Sequence, residues 1–312
     1  MKKRLLALLS IIAVSTKSNA QLFTQNFETA TTVADYISAS APNSGQFSSI
    51  SNNTTGLATS ITNGGLRIVR SATGGIYIYR NFAFTTSPTF VQLKFDFTLS
   101  ANDINKTGLF NVMFGNAFTN TLNGPNATHA SSYISRIGIN TGTVAGDFRI
   151  GTIDAIPTAI TSGVYTGTQT ITYILNKSDM QRSYTAPNSA SEDLAKDAVD
   201  VWIGTTRIIN DYPLINMQSA TNPVALDING FKIQAATTSG LGTFDFDNIS
   251  FTDLLGTAVL PVNLSAFTGK AVSNGVQLNW STTEEINNSH FEVLRSSNGI
   301  NFNSIGTIKG KN

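Results

Sequence analysis

From Gln21 to about Gly256, apolar and polar residues alternate in short runs separated by turn-forming clusters, a pattern that predicts β-strands. In Val91–Leu99, the apolar Leu93, Phe95, Phe97 and Leu99 share one face and Lys94, Asp96 and Thr98 the other, so one face is core and the other wet. Phe110, Val112 and Phe114 repeat the pattern, as do Ile171, Tyr173 and Leu175, with Asn123-Gly124-Pro125-Asn126 as a turn between runs. Gly64-Gly65 and Gly74-Gly75 read as hairpin punctuation, and no Lys-Ser/Thr follows them to suggest a phosphate loop. Near the end of the region, Phe244 and Phe246 lie on one phase and Ile249 and Phe251 on the other. That one-residue slip at Asp247-Asn248 predicts a β-bulge. A single helical turn is expected over 191–196, where Ser191 would cap and Glu192 and Asp193 would favour the positive end of the dipole.

After Leu260-Pro261-Val262 a second series begins: Val276, Leu278 and Trp280 alternate, then Phe291 and Val293, then Phe302, Ile305 and Ile308. The expected division is a β-sandwich over 21–256, a proline-bearing linker over 257–263, and part of a second small sandwich over 264–312. The last stretch has room for a few strands only, whereas a complete sandwich of the immunoglobulin kind wants about seven strands in roughly 100 residues.

The N-terminus adds a targeting signal. Lys2, Lys3 and Arg4 precede an apolar run from Leu5 to Val14 and then Ser18-Asn19-Ala20, the order of a secretory signal peptide with cleavage expected near Ala20. The apolar run is far shorter than the roughly 20 residues a membrane-spanning helix needs, so no transmembrane segment is expected in the mature chain. No Cys follows it, which leaves no attachment point for a lipoprotein anchor. Removing Lys2, Lys3, Arg4 and Lys17 from the 20 basic residues leaves 16 against 19 acidic ones, a net charge of −3. That balance offers no basic stripe for nucleic acid. Without Cys, an exported chain must hold itself together through its core. The scarcity of charged residues, 12%, alongside abundant Thr, Ser, Asn and Gly, fits a β-rich extracellular surface.

The stretch Leu260-Pro-Val-Asn-Leu-Ser-Ala-Phe267, then Gly275-Val-Gln-Leu-Asn-Trp-Ser-Thr-Thr-Glu-Glu-Ile-Asn-Asn288 and Phe291-Glu-Val-Leu-Arg-Ser-Ser-Asn-Gly299, resembles the fibronectin-type-III-like module that precedes the sorting domain in cargo of the type IX secretion system. The resemblance implies export by that machinery through a C-terminal sorting domain beyond Asn312, and places Glu284 and Glu285 at a solvated strand end. The larger region resembles the concanavalin-A-like jelly rolls of such cargo, on Gln25-Asn-Phe-Glu28, Val199-Asp-Val-Trp-Ile-Gly204 and Thr243-Phe-Asp-Phe-Asp-Asn-Ile-Ser-Phe251. Jelly rolls of this kind host lectins, glycan-binding modules, hydrolases and lyases, so the fold alone does not choose a function. The resemblance further implies a structural calcium between a first-strand Glu and a last-strand Asp, here Glu28 and Asp247, both hard oxygen ligands. The alternative is an Asp that caps a turn.

In Val199–Ile203 the aliphatic residues share one face and Asp200 and Trp202 the other. An indole outside the core could stack on a sugar ring while Asp200 accepts hydroxyl hydrogen bonds, and Tyr77 and Tyr79, opposite Ile76 and Ile78, make a similar pair. The alternative is that these rings pack under a loop or between sheets. Catalytic signals are thin. The Glu-x-Asp-x-Glu spacing of a retaining glucanase is absent, and two histidines, His129 and His290, exclude a multi-histidine zinc site. A lyase could use His129, Tyr133 and Arg136 as base, acid and carboxylate neutraliser, but their Ser-rich setting reads as loop running into strand. The leading expectation is a secreted or cell-surface protein that binds extracellular polysaccharide without catalysis. A structural surface or matrix protein comes next, then a polysaccharide-degrading enzyme.

Overall fold

The computed structural model describes residues 8–14, 19–52, 56–100, 103–104, 109–121, 133–152, 161–214, 226–235, 240–256, 264–273, 275–282, 290–296 and 302–309. In chain order the first strands are β1 (Leu8–Val14), β2 (Ala20–Gln25), β3 (Ser49–Asn52), β4 (Leu57–Thr62), β5 (Gly65–Arg70), β6 (Ile76–Asn81) and β7 (Phe90–Ser100). Next come β8 (Phe110–Gly115), β9 (Tyr133–Thr141), β10 (Phe148–Thr152), β11 (Gln169–Asn176), β12 (Arg182–Thr185), β13 (Ser191–Leu194) and β14 (Ala198–Ile203). The last are β15 (Thr206–Pro213), β16 (Gly230–Ala235), β17 (Gly242–Asp253), β18 (Leu264–Val272), β19 (Gly275–Thr282), β20 (His290–Ser296) and β21 (Asn303–Lys309). A single 3-10 turn, Val33–Tyr36, is the one helical element among the described residues.

Two antiparallel sheets carry the fold. One has six strands in the order β10-β9-β8-β16-β6-β3, and the other has eight, β15-β14-β11-β7-β17-β5-β4 with β2 beside β17. The chain passes repeatedly from one sheet to the other, the inter-sheet weaving of a jelly roll. Alternation explains the layering. Leu93, Phe95, Phe97 and Leu99 of β7 point into the same core as Phe110, Val112 and Phe114 of β8 and Ile171, Tyr173 and Leu175 of β11. Rings from opposite sheets meet edge-on or tilted, with centroids 4.5 Å apart for Phe114 and Tyr173, 5.3 Å for Phe23 and Phe231 and 6.2 Å for Phe97 and Phe110. Each fully buried Phe contributes roughly 2–3 kcal/mol of transfer free energy, which is how a chain without disulfides holds this sandwich together.

The turn chemistry also follows the sequence. Asn63 and Gly64, both at positive φ, close the β4–β5 hairpin. The slip at Asp247-Asn248 is a register shift between Asp247 and Ser250 against β7, with Asn248 at φ 48°, and it leaves Phe244, Phe246, Ile249 and Phe251 all buried in one core. The expected helical turn at 191–196 is not formed. Ser191–Leu194 is strand β13, paired with β12, because Ser183 and Tyr184 offer it a complete ladder partner.

The C-terminal strands form the β18–β19 hairpin and a three-stranded sheet, β1-β20-β21. Trp280 and Phe291 meet edge-on at 5.8 Å. Leu8–Val14, within the expected signal peptide, is paired with His290–Ser296. The proposed linker, 257–263, lies outside the described residues, as do Glu284 and Glu285.

Candidate functional site

The alternation in β14 is as read from the sequence: Val199, Val201 and Ile203 face the main core, and Asp200 and Trp202 face away from it. The outer face there is not open. The β12–β13 hairpin folds over it, and Tyr184, Ala186 and Leu194 make a second small core with Phe90, Ile174, Ala198 and Trp202. The Trp202 residue is only 2% exposed, so its ring offers no surface for stacking on a sugar. Its indole N–H donates to the Tyr184 hydroxyl at 2.9 Å, and that hydroxyl donates to Asp200 Oδ2 at 2.6 Å. The Asp211 backbone N–H donates to Asp200 Oδ1 at 2.8 Å, and Arg207, which also pairs with Glu192, donates to Oδ2 at 3.2 Å. Burial raises the Asp200 carboxyl above the usual carboxylate range against the opposing pull of these donors, and burial also raises Tyr184. Asp200 therefore ties the hairpin to the sheet and presents no free oxygen to a ligand.

Glu28 and Asp247 are neighbours on the eight-stranded sheet's side of the molecule. Burial, then the charges of Asp96 and Glu28, push the Asp247 carboxyl up, with the Asn248 backbone N–H opposing. The Asn248 side-chain N–H donates to Asp96 Oδ2 at 2.8 Å, its backbone N–H donates to Asp247 Oδ1 at 2.7 Å, and Asn26 Nδ2 donates to Glu28 at 3.0 Å. These donors engage one oxygen of each carboxylate, Glu28 Oε2, Asp247 Oδ1 and Asp96 Oδ2. Among the described residues no group of three or more acidic or histidine side chains converges as metal ligands.

The opposite outer face, on the six-stranded sheet, is chemically different. In β16, Phe231, Ile233 and Ala235 face the core while Lys232 and Gln234 face outward. Strand register then lays out two rows across the sheet. The first runs Ser49, Tyr79, Lys232, Met113, Arg136, and the second Ser51, Tyr77, Gln234, Asn111, Gly138, Gly151. Tyr77 and Tyr79 therefore are outward-facing, as expected, but neither is freely exposed. They form a small cluster with Met113, Phe118 and Tyr133.

The segment leaving β8, Asn116–Thr121, crosses the first row as a strap. Asn81 clamps it by accepting from the Phe118 N–H at 3.0 Å and donating to the Phe118 carbonyl at 2.8 Å. Ser49 and Ser51 hydroxyls donate to Asn120 Oδ1 at 2.9 and 2.7 Å. Lys232 Nζ donates to the carbonyls of Thr119 and Thr121 at 2.9 and 2.6 Å and lies 4.9 Å from the Tyr77 ring centre. Burial holds its ammonium pKa down at about 7, and burial pushes the Tyr77 and Tyr79 phenols up. Arg136, a member of the lyase trio expected from sequence, stacks 5.3 Å from the Tyr133 ring, and both belong to the buried floor of β9; His129 lies outside the described residues.

The second row ends in two buried glycines, Gly138 and Gly151. Asn111 is 9% exposed, and its Oδ1 has no hydrogen-bond partner among the described residues. A buried acceptor left unpaired costs roughly 1–3 kcal/mol, which a donor admitted to it would recover. Sequence reasoning singled out Tyr77 and Tyr79 on this face but missed Lys232, Gln234 and Asn111. The alternation of Phe231-Lys-Ile-Gln-Ala235 was the signal that could have found the first two.

No protein-family model matches the chain, and no curated protein matches it in sequence. Among solved structures it is similar to the cellulose-induced protein Cip1, at 15% identity and TM-score 0.38 over 77% of this chain and 99% of that one. It is also similar to the carbohydrate recognition domain of Emp47p, at 8% identity and TM-score 0.41 over 75% and 95%. A legume lectin-like domain from Entamoeba histolytica aligns at 10% identity and TM-score 0.33 over 65% and 88%.

Proposed function

We propose that the protein binds carbohydrate without catalysis, outside the cytoplasm, on the outer face of the six-stranded sheet. What supports this reading is the chemistry of the second row: a hydroxyl, a phenol and two amides at successive cross-strand positions, then two glycines, with the Asn111 acceptor unpaired among the described residues; Tyr77, Gln234 and Asn111 are buried in this conformation, so a sugar would have to open the row to reach them. Amides and hydroxyls held at fixed spacing on a sheet are the groups that hydrogen-bond the hydroxyls of a sugar. Hydrolysis would need two carboxylates across a groove, and the strands of this sheet carry no Asp or Glu. The basic, apolar and small residues before Gln21 support export, and the likeness of 260–299 to a pre-sorting module supports the type IX route. Cleavage after Ala20 would also remove β1 from the edge of β20.

The test is a glycan array probed with the processed chain, alongside Asn111→Leu and Gln234→Met, which keep side-chain volume and delete the amides. Binding by the parent, with at least a tenfold loss in either variant at an unchanged circular dichroism spectrum, supports the reading. A flat array for the parent would reject it.

A further inference from the structure

The strap that closes the six-stranded sheet is built around one amine. Phe118, in the middle of Asn116–Thr121, packs in one buried cluster with Tyr77, Tyr79, Met113 and Tyr133, while Thr119, Asn120 and Thr121 are exposed. Lys232 is fully buried beneath them. Its Nζ donates to the Thr119 and Thr121 carbonyls and lies 4.9, 5.9 and 5.9 Å from the ring centres of Tyr77, Tyr79 and Phe118. The strap is also strained. Ala117, just after β8, sits at φ 52°, a left-handed conformation that a residue with a Cβ enters at a cost. Such a conformation persists only while its surroundings hold it. Here the holding groups are the Asn81 clamp on Phe118, the Ser49 and Ser51 bonds to Asn120, and Lys232.

Resting on the carbohydrate-binding reading above, we infer that the strap is a lid on the binding row at Tyr77, shut while the Lys232 amine is neutral and released when it takes up a proton, so that carbohydrate binding strengthens from alkaline to neutral pH. A neutral amine has two N–H groups, enough for both strap carbonyls. An ammonium makes the same bonds and gains from the three rings, but it loses its hydration, and burial wins, holding the amine down at about 7. Lifting the strap removes the two carbonyls, returns the nitrogen to water and its ordinary 10.5, and takes Phe118 off the cluster that contains Tyr77, the neighbour of Gln234 in the second row. Between those two values the open form binds the extra proton. The open-to-closed ratio therefore rises as pH falls, by up to about tenfold per unit, and levels off below about 7. Among the described residues, the other ionisable groups on this face of the elements around Lys232 are Tyr77 and Tyr79 on β6 and Tyr133 and Arg136 on β9; β3, β8 and the strap carry none. Phenols and guanidinium groups keep their charge between pH 7 and 9, so the amine is the group that titrates there.

The experiment puts a reporter in the strap. Phe118→Trp in the processed protein, quenched with acrylamide from pH 6 to 9, measures exposure of the strap's underside over the background of Trp202 and Trp280 in the parent. The quenching constant should be several-fold larger at pH 7 than at pH 9, constant below 7, and independent of pH once Lys232→Met is added. Asn81→Ala, which cuts the clamp and leaves the amine in place, should raise the pH 9 value. His129, outside the described residues, titrates closer to neutrality, and His129→Gln should leave the curve as it is. A glycan array probed with the parent should lose at least tenfold of its signal between pH 7 and pH 9. Quenching indifferent to pH, a pH response that survives Lys232→Met or disappears in His129→Gln, or equal array signals at the two pH values overturns the inference and leaves carbohydrate binding intact. A shielded indole in Asn81→Ala at pH 9 overturns it too, which keeps the test decisive where Lys232→Met does not fold. A responsive strap with an array flat at both pH values overturns the carbohydrate reading instead.

Discussion

Replacing Asp200 by Ala tests whether the Asp200–Trp202 site is structural, as its geometry says, or a ligand site. The carboxylate accepts from the Tyr184 hydroxyl, the Asp211 backbone N–H and Arg207 at 2.6, 2.8 and 3.2 Å. Hydrogen bonds to a charged acceptor contribute about 1.5–3 kcal/mol each. Two of the three stranded donors have relief, since Arg207 keeps Glu192 and the exposed Asp211 can turn to water. The Tyr184 proton has none, because the hydroxyl's other hydrogen-bond partner is the Trp202 N–H, itself a donor. The net cost is therefore about 3–4 kcal/mol, and a domain of this size loses roughly 2–4 °C of Tm per kcal/mol, so Asp200→Ala should lower Tm by roughly 10 °C. Asp200→Asn, which keeps one acceptor oxygen, should lose about half as much. Differential scanning calorimetry measures both, and glycan binding, on the other face of the sandwich, should be unchanged at a temperature where the variant is folded. An unaltered Tm together with lost binding would refute the structural assignment.

Other expectations concern the remaining buried charges. Lys232 titrates near 7 in the fold against 10.5 when unfolded, so the unfolded state holds the extra proton between these values and stability should rise with pH from about 7 upward; in Lys232→Met that slope should vanish in denaturant titrations between pH 7 and 9.5. Asp247 is pushed up, so its ionised form is disfavoured by folding and the cost appears as pH rises through its folded value; Asp247→Asn should raise Tm at pH 7 and leave it unchanged at pH 3. If millimolar calcium raised the parent's Tm but not that of Asp247→Asn, the carboxylates would be ion ligands after all. Phe114→Ala, at the centre of the inter-sheet core, should cost about 3–5 kcal/mol by urea denaturation, and a loss below 1 would mean the two sheets do not pack on one another there.

Period-two alternation determined a good deal. It placed Phe95, Phe97, Phe110, Phe114 and Tyr173 in one core, because a strand sends successive side chains to opposite faces and only the apolar face can be buried without partners. It located the bulge at Asp247-Asn248, since a slip in phase has no other cheap solution. It even assigned Asp200, Trp202, Tyr77 and Tyr79 to outer faces correctly. What alternation cannot say is what lies on an outer face, because that is decided by segments distant in sequence. The β12–β13 hairpin, whose second strand falls where a helical turn was expected, closes over Trp202, and the Asn116–Thr121 strap closes over Tyr79 and Lys232. The amine of Lys232 was likewise present in the sequence. Its charge became costly only when the strap, with Thr121 111 residues earlier in the chain, took it out of water, because desolvation is set by neighbours in space and not along the chain.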